Sequence, residues 1–201
     1  TDKLTSEMVK LADDEQVDLM LLGGGYKLRS EATTEEEHSK FPLLSSFMRF
    51  IGKKTLNLPG RLFRDKIREI IDHVTCPVAV YVNRGSGKTE HLYMILGGDM
   101  DAFLLPYLVS IMKNTQNTIS IYLFKSGNGD FMKQVFALVQ QYQNRILLKE
   151  FAESSELMFE RRNSLLLLSY GVYQKLQEDA SFSVSLPSFV TFYPHISEKE
   201  N

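Results

Sequence analysis

The sequence predicts an α/β fold with parallel sheets, and three observations lead there. Short apolar runs punctuated by Gly or Pro alternate with amphipathic helical segments along the chain. The runs are apolar almost throughout rather than alternating, as strands buried on both faces of a parallel sheet must be. Finally, Cys76-Pro77 and the run Val78–Asn83 end one alternation, and His91–Leu96 followed by Gly97-Gly98-Asp99 opens a new one. The chain therefore reads as two units: residues 1–86, whose opening strands are missing, and residues 87–201, which carry the alternation in full.

Leu4, Met8, Leu11 and Ala12 lie at helical spacing, with Thr5 or Ser6 as the cap. A strand is expected over 17–22, closing on Gly23-Gly24-Gly25. Residues 26–58 form a long insertion. Glu31, Glu35, Glu36 and Glu37 make its first part an acidic solvated loop. In its second part Leu43, Leu44, Phe47, Met48 and Ile51 share a helical face, either covering the core or docking on a membrane or partner. Helix 60–73 places Leu62, Phe63, Ile67, Ile70, Ile71 and Val74 on one side and its charges on the other, with Pro59 and Gly60 at its start. Pro77 keeps Cys76 extended and so leads into the strand.

The second unit reads as strand 92–97, helix 101–113 with Pro106 kinking it, strand 118–124, helix 130–143, strand 145–150, helix 153–161, strand 164–169, helix 171–178 and strand 188–193. Ser164–Ser169 is the most apolar strand and the expected centre. The two units are weak repeats. The run Asp18–Gly23 matches Leu165–Gly171, and Val78–Tyr81 matches Phe189–Phe192.

Composition bounds the function. A net charge of −2 supplies no global basic field for nucleic acid or anionic lipid. A single cysteine excludes an internal disulfide and a cysteine-rich metal site. No run of about 18 apolar residues is present to span a bilayer. The first element reads as the middle of a fold, so the chain is expected to be part of a longer protein.

The segments Asp18–Gly25 (DLMLLGGG), His73–Gly85 (HVTCPVAVYVNRG) and Tyr93–Phe103 (YMILGGDMDAF) resemble the cytosolic C-terminal region of monovalent cation/proton antiporters of the fungal and plant type. That region is similar to tandem universal-stress-protein-like domains, which implies two Rossmann-like parallel sheets, the first incomplete here. The resemblance further implies a regulatory, non-enzymatic domain of a potassium/proton antiporter. Its partners would be a second copy and the transmembrane domain of the same protein, upstream. It would sit at the cytosolic face of an intracellular membrane, Golgi or endosomal. The alternatives are a soluble stress-protein-like nucleotide binder and an enzyme on a doubly wound sheet.

Nucleotide-binding members of the stress-protein family use a glycine-rich turn and a helix start, where amides and the helix dipole meet phosphate. The matching positions are Gly23, Gly24, Gly25, Gly60 and Arg61 in the first unit, and Gly97, Gly98 and Asp99 in the second. Three departures weigh against a nucleotide, so no cofactor is assigned. Gly25 and Gly60 are too far apart, Arg61 stands where Ser or Thr is needed, and Ser169-Tyr170-Gly171 has no glycine-rich continuation. Turn geometry explains the glycines equally, and helix capping explains Asp99 or Asp101. Gly85-Ser86-Gly87-Lys88-Thr89 lacks the earlier glycine of a phosphate loop and reads as a linker. His38, His73, His91 and His195 lack metal-ligand spacing. The last strand, with Phe189, Val190, Phe192 and Tyr193, is expected to be an apolar edge through which two copies associate.

Overall fold

The structure, a computed structural model, describes residues 3–25, 60–84, 88–124, 129–160, 163–178, 182 and 186–194. The acidic segment, the helix expected within 41–51 and the Gly85-Ser86-Gly87 linker lie outside these residues. The chain divides into two compact units, Thr1–Asn83 with Tyr193–Asn201, and Arg84–Phe192. Among the described residues no helix is long and apolar enough to cross a membrane.

In the first unit, helix α1 (Lys3–Asp14) leads to strand β1 (Met20–Gly25), and helix α2 (Gly60–His73) leads to strand β2 (Val78–Asn83). The two strands pair in parallel, Met20 opposite Val78 through Gly25 opposite Asn83. α1 ends where Gln16 turns left-handed at φ 49° and the Val17 amide donates to the Ala12 carbonyl at 3.1 Å. This helix-ending turn satisfies carbonyls of the last turn and takes Val17 out of the strand. β1 therefore starts three residues later than the sequence suggests and runs on through Gly23–Gly25, which are strand residues and not a turn. α1 meets α2 through Thr5 Oγ1, 3.4 Å from Glu69 Oε2. Thr75 Oγ1 donates to Asp13 Oδ1 at 2.6 Å, which ties the entry of β2 to the end of α1.

The second unit holds β3 (His91–Leu96), β4 (Ile119–Phe124), β5 (Ile146–Phe151), β6 (Ser164–Ser169) and β7 (Ser188–Tyr193). Their order is β7-β6-β3-β4-β5, every neighbouring pair parallel. The α/β parallel fold expected from the sequence is the fold observed. β3 comes first in the chain and lies in the middle, so the winding reverses between β3 and β6. Helices α3 (Leu105–Asn114) and α4 (Gly129–Gln141) carry the crossovers out to β5, and α5 (Tyr170–Gln177) carries the one from β6 to β7. Successive strand residues face opposite sides of the sheet. Phe192 accordingly stacks on Tyr107 of α3 at 5.3 Å, and Phe189 on Tyr173 of α5 at 5.4 Å. The core between includes Met94, Ile95, Leu96, Ile121, Leu123, Leu166 and Leu168, all without solvent contact.

Several expectations are corrected. The helix expected over 101–113 splits: a 3₁₀ turn, Asp99–Leu104, precedes α3, and Pro106 sits in α3's first turn, where its missing amide costs nothing. α3 ends under Arg145, whose guanidinium donates to the carbonyls of Met112 at 2.8 Å and Asn117 at 3.2 Å, and to that of Thr115. The helix expected over 153–161 does not form among its described residues, 153–160. Glu156 Oε1 takes the amides of Ala152 and Glu153 in a short 3₁₀ turn, Ser154–Glu156, after which Leu157 is extended and residues 158–160 are neither helix nor strand. The last strand offers no exposed apolar row. Phe189, Val190 and Phe192 are all buried, the two aromatics by the ring stacking just described.

Candidate functional site

In an open parallel sheet, ligands bind beyond the carboxyl ends of the strands where the winding reverses. Here that place lies between the exits of β3 and β6. β3 ends at Leu96, and the chain passes through Gly97 and Gly98 into the 3₁₀ turn. Gly98 has φ 135° and ψ −157°, a conformation that a side chain would make costly, so the glycine is required. β6 ends at Ser169, whose hydroxyl caps α5 by accepting from the Val172 amide at 3.2 Å.

Asp101 joins the two exits. It lies in the 3₁₀ turn, only 3% exposed, and its carboxylate accepts from the Gly97 amide. Burial pushes the Asp101 carboxyl above the usual carboxylate range, and the Ser169 hydroxyl, the Gly97 amide and the Lys175 charge pull it part of the way back. The expected capping role takes a different form: no side chain caps the turn, and Asp101 reaches back one residue further, to Gly97. A Cβ at Gly97 would meet Val172 Cγ2 at 2.7 Å, so the exits of β3 and β6 are in close contact.

The arrangement has a chemical consequence. A phosphate at this edge needs free amides and a positive field. The Gly97 amide is already taken by Asp101, and the Val172 amide by Ser169. The Asp101 carboxyl group itself fills the place at the Gly97 amide that a phosphate would need. Beside it, Asp99, Ala102, Gly129, Asp130, Phe131 and Gln134 line an open cleft of about 440 Å³. Its two carboxylates are equally unsuited to an anion, and Asp130 also pairs with Lys133 at 2.8 Å.

The sequence-predicted residues divide between the units. Gly97, Gly98 and Asp99 stand at the winding reversal of the second unit. Gly23, Gly24 and Gly25 are the last residues of β1, paired with Tyr81, Val82 and Asn83. Nothing crowds Gly23: a Cβ there would meet no atom within 4 Å. Gly60 and Arg61 open α2 in its first turn. Ser169 escaped the sequence reading as a site residue. Its signal was a hydroxyl at the last position of an apolar run directly before a helix. Among the described residues no group of three metal-ligating side chains converges.

No family model matches this chain, and no curated protein is similar enough to match it. Among solved structures, the cytoplasmic domain of a prokaryotic cation chloride cotransporter aligns with a TM-score of 0.47 and 14% identity, covering 79% of this chain and 71% of that one. A likeness of that size decides nothing about the activity of this chain.

Proposed function

We propose that this chain is a cytosolic regulatory domain of an ion transporter, specifically a monovalent cation/proton antiporter exchanging potassium, and that it works without catalysis and as a homodimer. Three segments support the antiporter reading, Asp18–Gly25, His73–Gly85 and Tyr93–Phe103. Each carries a strand of the parallel fold, respectively β1, β2 and β3. The observation that carries the regulatory reading over a nucleotide-binding one is Asp101: the chain's own carboxylate occupies the amide that a phosphate would use. The domain would work at the cytosolic face of an intracellular membrane, joined to transmembrane segments of the same protein.

Cell fractionation tests this directly. The natural protein that carries these residues should pellet with membranes, and vesicles made from them should exchange potassium for protons. Deleting the residues of this chain should change the rate or its pH dependence. A protein found wholly in the soluble fraction, or an exchange rate indifferent to the deletion, would overturn the reading.

A further inference from the structure

A parallel sheet normally has both of its faces covered. In the second unit one face of β4 and β5 carries no helix. Phe192 and Phe189 face opposite sides of the sheet and stack on α3 and α5 respectively. Right-handed crossovers from β3 to β4 to β5 place α4 on the same side as α3. The Phe189 side also carries Tyr93, Ser120, Tyr122, Leu147 and Lys149, by the register of the five strands. Among the described residues of this unit, that side has α5 next to β6 and β7, and residues 157–160 over β3 and β4. The far end of the sheet stays open on this side, and Leu147 of β5 is 55% exposed.

Residues 157–160 are held firmly. Leu157 is buried, and Phe159 packs edge-on at 5.3 Å from Tyr93 and 5.6 Å from Tyr122. Tyr122 Oη donates to the Met158 carbonyl at 2.8 Å, and the Glu160 amide donates to Tyr93 Oη at 3.3 Å. With its backbone tied down, Met158 still leaves 76% of its surface in water. A fixed, apolar, outward side chain is a contact waiting for a partner.

The charges around it suggest which partner. Lys149, Met158 and Glu160 are anchored in that order on β5, β4 and β3, neighbouring strands about 4.8 Å apart. Lys149 belongs to β5 and lies over the Tyr122 ring at 5.6 Å. The Met158 carbonyl is bonded to Tyr122 of β4. Glu160 is bonded to Tyr93 of β3, and its carboxylate stands 3.3 Å from His91 Nε2 with 64% of the side chain exposed. An exposed methionine thus lies between an exposed cation and an exposed anion.

We propose that this face joins two copies of the chain across a two-fold axis at Met158. Such an axis exchanges the two sides of the methionine. Lys149 of each copy then meets the partner's Glu160, and the surface is complementary to itself, as a two-fold contact requires. Met158 and Leu147 form the apolar centre, and the two ion pairs form the rim. A lipid surface or a partner of one charge sign would repel one of the two rim charges, whereas a second copy satisfies both. The inference rests on the homodimer proposed above and names its contact.

Sedimentation of the 201-residue chain and its variants tests it. Lys149→Glu and Glu160→Lys should each weaken the dimer about ten-fold, because each sets like charges face to face at both rim positions. The double variant restores opposite charges and should recover affinity to within about three-fold of the unaltered chain. Met158→Asp places two carboxylates at the axis and should weaken the dimer at least about ten-fold, with denaturant melts unchanged because the side chain is exposed. A dimer indifferent to Met158→Asp, or single charge variants that the double variant does not rescue, would overturn this contact and leave the homodimer standing. A chain that stays monomeric at about 100 μM would overturn both, and would leave the face to a partner of other chemistry.

Discussion

Asp101 concentrates the chemistry of the second unit in one side chain. It is 3% exposed, and its folded carboxyl lies above the ordinary range because burial outweighs its hydrogen bonds. A carboxyl raised on folding is held more comfortably as the neutral acid. Its contribution to stability is therefore greatest below the unfolded value of about 3.9 and declines as pH rises through the higher folded value. Asp101→Asn keeps an acceptor for the Gly97 amide and removes the charge. Relative to the unaltered chain, the Asn variant should gain stability steadily as pH rises over that window, as read by urea melts at several pH values. Asp101→Leu should cost about 1–3 kcal/mol, because it leaves the part-buried Gly97 amide without its acceptor. An Asn variant that loses stability as pH rises would show that the carboxylate, not the acid, is the favoured form.

Elements whose ends are set by local chemistry were legible. Gly60–His73, Val78–Asn83, Ser164–Ser169 and Ser188–Tyr193 stand where the apolar pattern, Pro and Gly place them. The expected helix over 153–161 failed because competing partners lie outside the segment. Glu156 draws its carboxylate to the preceding amides, and two distant tyrosine hydroxyls bond the backbone that a helix would have used. β7 teaches a related lesson. Its aromatic residues suggested an open edge, yet Phe192 stacks on Tyr107 and is buried. Phe192→Asp should therefore unfold the second unit rather than dissociate two copies. The cost should be at least about 3–5 kcal/mol, for a lost aromatic and a buried unpaired charge. Denaturant melts measure it, and a variant as stable as the unaltered chain would show that the side chain is free after all.

For the molecule as a whole, the question is what binds at the carboxyl edge of the second unit. Calorimetry with ATP and AMP should give no binding tighter than about 1 mM, which is about −4 kcal/mol. The physical ground is that Asp101 already takes the Gly97 amide, with Asp99 and Asp130 lining the neighbouring cleft. Micromolar binding that survives Gly98→Ala would direct attention to the glycines of the first unit. Sedimentation tests the proposed homodimer. Because the apolar side chains of β7 are buried, its contact must use a surface other than the one the sequence suggested.

The sequence by itself determined the fold class, the alternation of strands and helices and the place of the glycine turn after β3. Each depends on information carried by neighbours along the chain: apolar periodicity, glycine freedom and the missing amide of proline. Only the tertiary structure decided that β6 lies beside β3, which brings Ser169 to the turn that holds Gly97 and Asp101. It alone decided that Asp101 is buried, that Arg145 closes α3 and that the hydroxyls of Tyr93 and Tyr122 bond the backbone of Glu160 and Met158. Desolvation and hydrogen bonding of a side chain depend on which distant segments pack around it, and strand order sets those segments. A sequence pattern records that a residue prefers burial or water, but not which partner it meets when buried.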